Sequence, residues 1–458
     1  MFKKYLKVIG TTILAVVFAL TLTGCGTQPT TKANTVVIWG FVDEDVFKPI
    51  IDDFKQNNKG IEVKYYKKNL DANYENDALN SILSGAGPDV WAIPNNWVYR
   101  HKEKLAPMPG KLLDDKKIVM KDYFADVLQR DNVFDNQVYG LSPTVDVLQA
   151  YYNPLLFDQA REKALKSAGE NESKQEEISN IFRNFPITWS EFDQVVPYLT
   201  SRNGSFVQVA GAAIGSSNNV SYSNDILSLL MLQNQTKMLS DDLTQATFNL
   251  PIKNSAGADV MPGKNSLDFY SKFANPADPT YAWNPGMPND VEAFAQSKVA
   301  VIFAYSGLAG YLKQIYPDFE FERAKIPQIG EVNSIVDYAH YTTYVVPENS
   351  PLVETAWDFV VNLATDSASS YQSATKELSS KKSGGSSDTV DLKSRGSGEP
   401  SEEMVAGAES WNKGRYPVEI NNQFKMAIDR VNSGSQSSQA ALDTAAANIT
   451  QLLRKESW

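Results

Sequence analysis

The chain has 458 residues, 42% of them hydrophobic and 21% charged. That is too long for one compact core, and the composition is that of an ordinary globular protein built from two domains or lobes. The net charge is -11; without residues 1–24, which carry Lys3, Lys4 and Lys7 and no acid, 40 basic side chains face 54 acidic ones and the net is -14. Such a surface repels phosphate backbones, so no nucleic-acid partner is expected. A single cysteine, Cys25, and two histidines, His101 and His340, exclude an internal disulfide framework and a Cys/His zinc site. No metal and no other cofactor is expected. Calcium held by oxygens alone stays open, although no run has EF-hand spacing.

Residues 1–25 read as an address. Three lysines make a positive start, and Val8–Leu22 is an apolar stretch short for a membrane span. It ends in Leu22-Thr23-Gly24-Cys25, which resembles the lipobox of bacterial lipoproteins, whose cysteine is lipidated and becomes the first mature residue. The resemblance implies a signal peptide over 1–24, a lipid anchor on Cys25 and an extracytoplasmic location on the membrane. The alternative is an uncleaved anchor. "GTQPTTKAN" then has a tether's composition, so 25–34 is read as lipidated cysteine plus tether.

Taken in order, "TVVIW" (Thr35–Trp39) predicts a strand. Phe47, Ile50, Ile51 and Phe54 recur at helical spacing, and "IEVKYY" (Ile61–Tyr66) alternates as a strand. Tyr74, Ala78, Leu79, Ile82 and Leu83 share a helix face with Gly85 as a stop, and "DVWAI" (Asp89–Ile93) predicts a third strand. Strand–helix–strand–helix–strand in about sixty residues argues for a parallel sheet. "GFVDED" and "PNNW" then leave the carboxyl ends of their strands, where open α/β sheets bind ligands. Asp89, at a strand start, is a turn residue on this reading. Arg161–Asn184, rich in Lys and Glu, predicts a solvated helical excursion. Ser367–Pro400, rich in Ser, Lys and Gly, is expected to contain a mobile loop. "QAALDTAAANITQLL" predicts a closing helix.

Over nearly its whole mature length the chain resembles the family 1 extracellular solute-binding proteins of ABC importers, the group that includes maltose-binding protein. The pieces that carry the resemblance stand in family order: the lipobox, "TVVIWGF", "FKPIIDDFKQNNKGIEVKY", "SGAGPDVWAI", "VYGLSPTVDVLQAYYNPLLFDQA", "ITWSEFDQVVPYLT", "EAFAQSKVAVIFAYSG", "IPQIG", "ETAWDFVVNLA" and "ESWNKGRYPVE". The chain departs from the family's pattern in the Arg161–Asn184 insert, in Ile187 where the family often has a second proline, and in the low complexity of 367–400. The resemblance implies a two-lobed periplasmic-binding-protein-like α/β fold (type II). Each lobe is a mostly parallel sheet flanked by helices, and the lobes close about hinge crossings. Crossings are expected near Thr144–Val147, Ile326–Gly330 and Ala364–Ser370. Lobe 1 is then 35–145 plus 328–365, and lobe 2 is 146–327 plus 366–458.

A sugar cleft needs aromatic faces and side chains that pair with hydroxyls. Trp39 and Trp91 lie inside strands and read as core. On the first lobe's rim the candidates are Phe41, Asp43, Asn95, Asn96 and Trp97. Asp146 sits at a proposed crossing, as a ligand group or a solvated hinge residue. Asn218 and Asn219 fall in a region that lines the cleft in the family, and Trp283 lies in a Pro/Gly loop. Tyr305 and Ser306 emerge from a predicted strand end. Tyr338 and His340 share one face of a re-entering strand, with Tyr341 on the other. Trp411 is flanked by polar residues and is a stacking candidate.

The resemblance implies a monomer without covalent chemistry that takes a carbohydrate and delivers it to permease subunits. Two other readings stay open. One is a binding protein for a peptide, polyol, phosphodiester or metal. The other is a glycan-processing enzyme, for which no carboxylate pair is marked by spacing. G-x-S-x-G and H-E-x-x-H are missing, and "GAGPD" lacks the G-K-[ST] of a phosphate cradle.

Overall fold

The computed structural model describes residues 34–204, 206–330, 335–382 and 398–455. The expected signal peptide, Cys25, most of the expected tether and the centre of the Ser-rich segment lie outside them.

The first lobe forms as its local patterns dictate. Strand β1 (Thr35–Gly40) is followed by helix α1 (Glu44–Asn57), whose Phe47, Ile50 and Phe54 are buried. β2 (Glu62–Lys67), α2 (Tyr74–Leu83) and β3 (Val90–Pro94) follow. β1 pairs in parallel with β2 from Thr35 against Glu62, and with β3 at Ile38–Val90 and Trp39–Trp91. α2 stops in a Schellman arrangement. Gly85 takes φ +75°, its N–H donates to the carbonyl of Ile82, and that of Ala86 to Ser81. At Gly87 an added Cβ would lie 2.7 Å from the Ile82 backbone, so only glycine lets the strand leave so close to the helix. Asp89 is structural. It accepts from the Val37 N–H at 2.8 Å and from the Ser350 hydroxyl at 2.6 Å, tying β3 to two neighbouring segments.

Helix α3 (Asp126–Asn132) packs beneath this sheet, and the chain then crosses to the second lobe through β4 (Thr144–Val145) and β5 (Gln149–Tyr152). α4 (Pro154–Ala168) and α5 (Glu172–Ile181) make the predicted helical excursion, burying Ala160, Ala164 and Ile178. α6 (Trp189–Leu199) begins at a capping box of Thr188 and Glu191, and α7 (Ser223–Gln233) runs through the core. β6 (Val301–Ala304), α8 (Gly307–Ile315) and β7 (Glu322–Ala324) complete the sheet. This sheet differs from the first. Its middle strand, β5, runs antiparallel to both β6 and β7. Ala210 and Ala213 extend it in parallel beside β6.

The chain returns through β8 (Asp337–Tyr338) to β9 (Thr342–Val345), which joins the first sheet antiparallel to β3. α9 (Val353–Ala364), α10 (Ala368–Thr375), β10 (Leu378–Ser379) and β11 (Ala408–Glu409) lead to α11 (Pro417–Asn432) and α12 (Ser438–Arg454), the predicted closing helix.

The buried side chains separate into one core per lobe, and these correct the expected boundaries. Val147, Ala339, Tyr371, Met404, Val405 and Ala408 pack with the first lobe, whereas Leu148, Ile326, Val336, Tyr338 and Trp411 pack with the second. The first crossing is thus at Val147–Leu148. The second is at Tyr338–Ala339 rather than 326–330, and the last is at 408–411 rather than 364–370. Composition does not mark these points, because a crossing strand is as apolar as the strands beside it. The three crossings form one hydrogen-bonded ribbon. Leu148 N–H donates to Tyr338, His340 to Asp146 and Ala339 to Glu409, at 2.8–2.9 Å. β8 and β11 pair in parallel. Among the described residues no helix is long and apolar enough to cross a membrane.

Candidate functional site

The ribbon is the floor of a cleft between the lobes. From the second lobe, the first turn of α7 presents Asp225, and Tyr305 follows the end of β6. The Tyr305 hydroxyl donates to Asp225 Oδ2 at 2.9 Å. Tyr222 stands edge-on to Tyr305 with ring centroids 4.9 Å apart, and the His340 ring lies 5.3 Å from Tyr305. Trp411, just past the last crossing, donates its indole N–H to Ser228 Oγ at 3.2 Å and packs against Phe424. The Lys413 ammonium is 5.3 Å from the Trp411 ring and 6.0 Å from that of Tyr338. It donates to Asn421 Oδ1 at 2.8 Å. Burial lowers the Lys413 pKa, and the nearby Asp225 charge opposes that shift. Burial likewise holds His340 below its usual range, so the imidazole is neutral at pH 7.

From the first lobe come Asn95, Asn96, Tyr99 and Asp131, which line a pocket together with Ser410, Trp411 and Asn412. Asp131 is pushed up by burial. It accepts from Asn95 Nδ2 and the Tyr341 hydroxyl, each at 2.8 Å, and from the Ser410 hydroxyl. Asn96 Oδ1 is buried there with no hydrogen-bond partner. Free space in this pocket is about 20 Å³, room for little more than a water. The lobes touch just outside it, where Arg100 donates to the Arg415 carbonyl and Arg415 pairs with Glu103. Larger hollows of about 420 and 470 Å³ lie beside Glu177–Gln194 and beside Asp268–Gly434. Each is lined by the second lobe alone, so neither can be closed on by lobe motion.

The structure therefore gathers Asn95, Asn96, Tyr305, Tyr338, His340 and Trp411 around one cleft. Other candidates lie elsewhere. Trp283 is fully buried and its indole donates to Asn219 Oδ1 at 3.1 Å, so the expectation of a rim residue is corrected. Asn219 spends its amide on the Asn284 and Met287 carbonyls and is a loop brace, not a cleft group. Asn218 is exposed on the same loop. Asp43 pairs with Lys67 at 2.5 Å on the sheet's outer edge, and Phe41 packs edge-on to Tyr74. Trp97 turns its edge to His101. Asp146 and Ser306 satisfy each other across the boundary between the lobes, at 2.7 Å between Oδ2 and Oγ. Asp225, Lys413 and Asp131 were not singled out from sequence. Asp225 ends the stretch "SNNVSYSND" and Lys413 lies in "ESWNKGRYP", and an acid in a helix's first turn next to polar loop residues is the one local signal for Asp225.

Two α/β lobes joined by a three-stranded ribbon, with aromatic and polar groups facing each other across it, define a binding protein of the hinged, two-lobed class. The chain belongs to the bacterial extracellular solute-binding protein family, whose pattern matches residues 41–369. Among solved structures it is similar to the cyclic alpha-maltosyl-1,6-maltose binding protein of Arthrobacter globiformis. There the TM-score is 0.69 at 18% identity, over 92% of this chain and 99% of that one. It is also similar to the sugar-binding protein MalE of Xanthomonas citri, with TM-score 0.67 and 18% identity over 93% and 98%. UgpB of Mycobacterium tuberculosis, in complex with glycerophosphocholine, gives 0.66 and 13% over 93% and 100%. At these identities the likeness shows the fold. Among curated proteins none matches the chain in sequence.

Proposed function

We propose that the protein captures a carbohydrate between its lobes and passes it to an ABC transporter permease. The observation that carries this reading is the cleft's make-up. Trp411, Tyr305, Tyr338 and His340 supply ring faces around Asp225, an acceptor, and Lys413, a donor, while Asn95 and Asn96 face them from the other lobe. A sugar has apolar C–H faces and hydroxyls that both donate and accept, which this mixture matches. Several of the similar structures are described as sugar-binding, which supports the same class. Closing the lobes is a population shift driven by ligand contacts made to both walls at once. No group is poised for covalent chemistry on this reading, and the protein acts as a monomer.

The lipobox supports anchoring of the mature chain outside the cytoplasmic membrane through Cys25. A Cys25→Ser chain should leave the membrane fraction of its host; retention with the membranes would remove the lipid anchor from this account.

Screening residues 26–458 by thermal shift against mono- and oligosaccharides tests the ligand class. A sugar at about 100 times its Kd stabilises the native state by roughly 2.7 kcal/mol. If only a peptide, a polyol, a phosphodiester such as glycerophosphocholine, or a metal raises the melting temperature, the carbohydrate reading is lost. If a sugar is consumed, the non-enzymatic reading is lost.

A further inference from the structure

The hinge holds two carboxylates, and among the described residues neither has an ion-pair partner. β4 and β10 pair antiparallel with Val145 opposite Leu378 and Thr144 opposite Ser379. One step further along that register, Asp146 stands opposite Glu377. Opposed residues of an antiparallel pair point to the same face with Cβ atoms about 5 Å apart, where two like charges repel. The Thr144 hydroxyl donates to Glu377. Asp146 is the point at which the crossings and the second lobe meet. Its carboxylate accepts from the Ser306 N–H at 3.0 Å, the Ser306 hydroxyl at 2.7 Å and the Val147 N–H at 2.9 Å, and its carbonyl accepts from the His340 N–H at 2.9 Å. Ser306 is the N-cap residue of α8, in the second lobe, so the closed lobe covers a carboxylate held by the first.

We propose that Asp146 and Glu377 share one proton in the closed molecule, so that lobe closure takes up a proton and is weakened as pH rises. Among the described residues, the groups around the pair offer no other neutraliser. Tyr344 and Tyr371, which face Glu377, bond each other through their hydroxyls at 3.0 Å. Tyr151 faces Asp146 from β5, but its hydroxyl donates to the Tyr305 carbonyl at 2.8 Å. Arg323, from β7, pairs with Glu399 at 2.9 Å. Tyr222 adds no charge, and the His340 imidazole is turned to Tyr305. Burial first, and the Glu377 charge second, push the Asp146 carboxyl up to about 8, and burial raises Glu377 as well. Opening moves α8 away and admits water, which returns Asp146 toward the ordinary carboxylate range. The sign follows from linkage. A group whose pKa is higher in the closed form favours that form most at low pH. The preference falls by up to about tenfold per pH unit from the ordinary carboxylate range up to about 8, and is gone above it.

The test needs no ligand, so it stands or falls separately from the carbohydrate reading, although it rests on the lobes being hinged. Residues 26–458 contain no cysteine, so Lys59→Cys and Gln235→Cys, exposed on opposite lobes, accept a pair of spin labels cleanly. The distance distribution between them should move from short to long between pH 6 and pH 9. With Glu377→Gln, which keeps an oxygen to accept from Thr144 and removes only the neighbouring charge, the change should move to lower pH, and with Asp146→Asn it should be lost across that range. A distribution that ignores pH in the parent chain, or one that moves at the same pH in Glu377→Gln as in the parent, overturns the proposal. Unfolding by urea, followed at pH 6 and pH 9, identifies any variant whose lengthening is loss of fold.

Discussion

The two lobes share a fold class and differ in how they are written. The first is assembled from neighbours in sequence. β1, α1, β2, α2 and β3 follow one another, each with its own period and stop, and the sheet they form is parallel. The second draws its sheet from strands more than a hundred residues apart, β5 against β6 and β7, and its core from aromatic side chains of many segments. The cleft repeats the contrast. The first lobe offers a compact group around Asn95, Asn96 and Asp131. In the second, Asp225, Tyr305 and Trp411 come from three distant stretches. Local patterns build scaffold, while a site arises where distant stretches converge.

Substitutions can break or sharpen this contrast. The largest effect is expected at Trp283→Ala, which empties a fully buried site in the second lobe and leaves Asn219 without its indole donor. A loss of about 3–5 kcal/mol is expected. Urea unfolding should show it in the second lobe; an unchanged midpoint would return Trp283 to the candidate ligand residues.

Asp225→Asn should act on binding as well as on stability. It removes the charged acceptor of the Tyr305 hydroxyl, and a hydrogen bond to a charged group is worth about 1.5–3 kcal/mol. Calorimetry with a ligand found by the thermal screen should show affinity down by about ten- to a hundredfold. Tyr305→Phe isolates the hydroxyl and should cost less. Trp411→Ala is a poorer probe, because Trp411 is a wall of the second core as well as of the cleft.

Gly87→Ala should cost about 1–3 kcal/mol through overpacking against Ile82, and the loss should be confined to the first lobe. Smallest is Lys55→Ala, which removes an exposed ion pair to Glu62 on the same lobe. Its effect should be about 0.5 kcal/mol or less and should fade further with added salt. A large effect there would mean that the first lobe depends on more than its local patterns.

Legibility follows the same division. Gly85 as the helix stop and Asp89 as a strand-start residue could be read from their neighbours, and the structure supplies the bonds that explain them. Trp283 and Asn219 misled because a Pro/Gly loop between polar residues looks exposed in sequence, whereas here it folds inward and the two side chains bond each other. The hinge points were misplaced for a related reason. Residues 366–382 and 398–408 belong to the first lobe because Tyr371 reaches the Tyr344 hydroxyl at 3.0 Å and Met404 and Val405 fill the same core. No periodicity in those residues says which core they join.

By itself, the sequence determined the strand and helix periods of the first lobe, the acidic surface, the likeness to a solute-binding family and the lipobox-like start. These are properties of residues read within a few turns of one another, and the chain's local chemistry suffices for them. Tertiary structure alone decided which acid meets Tyr305, that Lys413 lies near both the Trp411 and Tyr338 rings, and that Asp146 and Glu377 become neighbours. Each of these pairs residues from separate segments, and their distance and burial, hence their charge state, exist only once both lobes have folded.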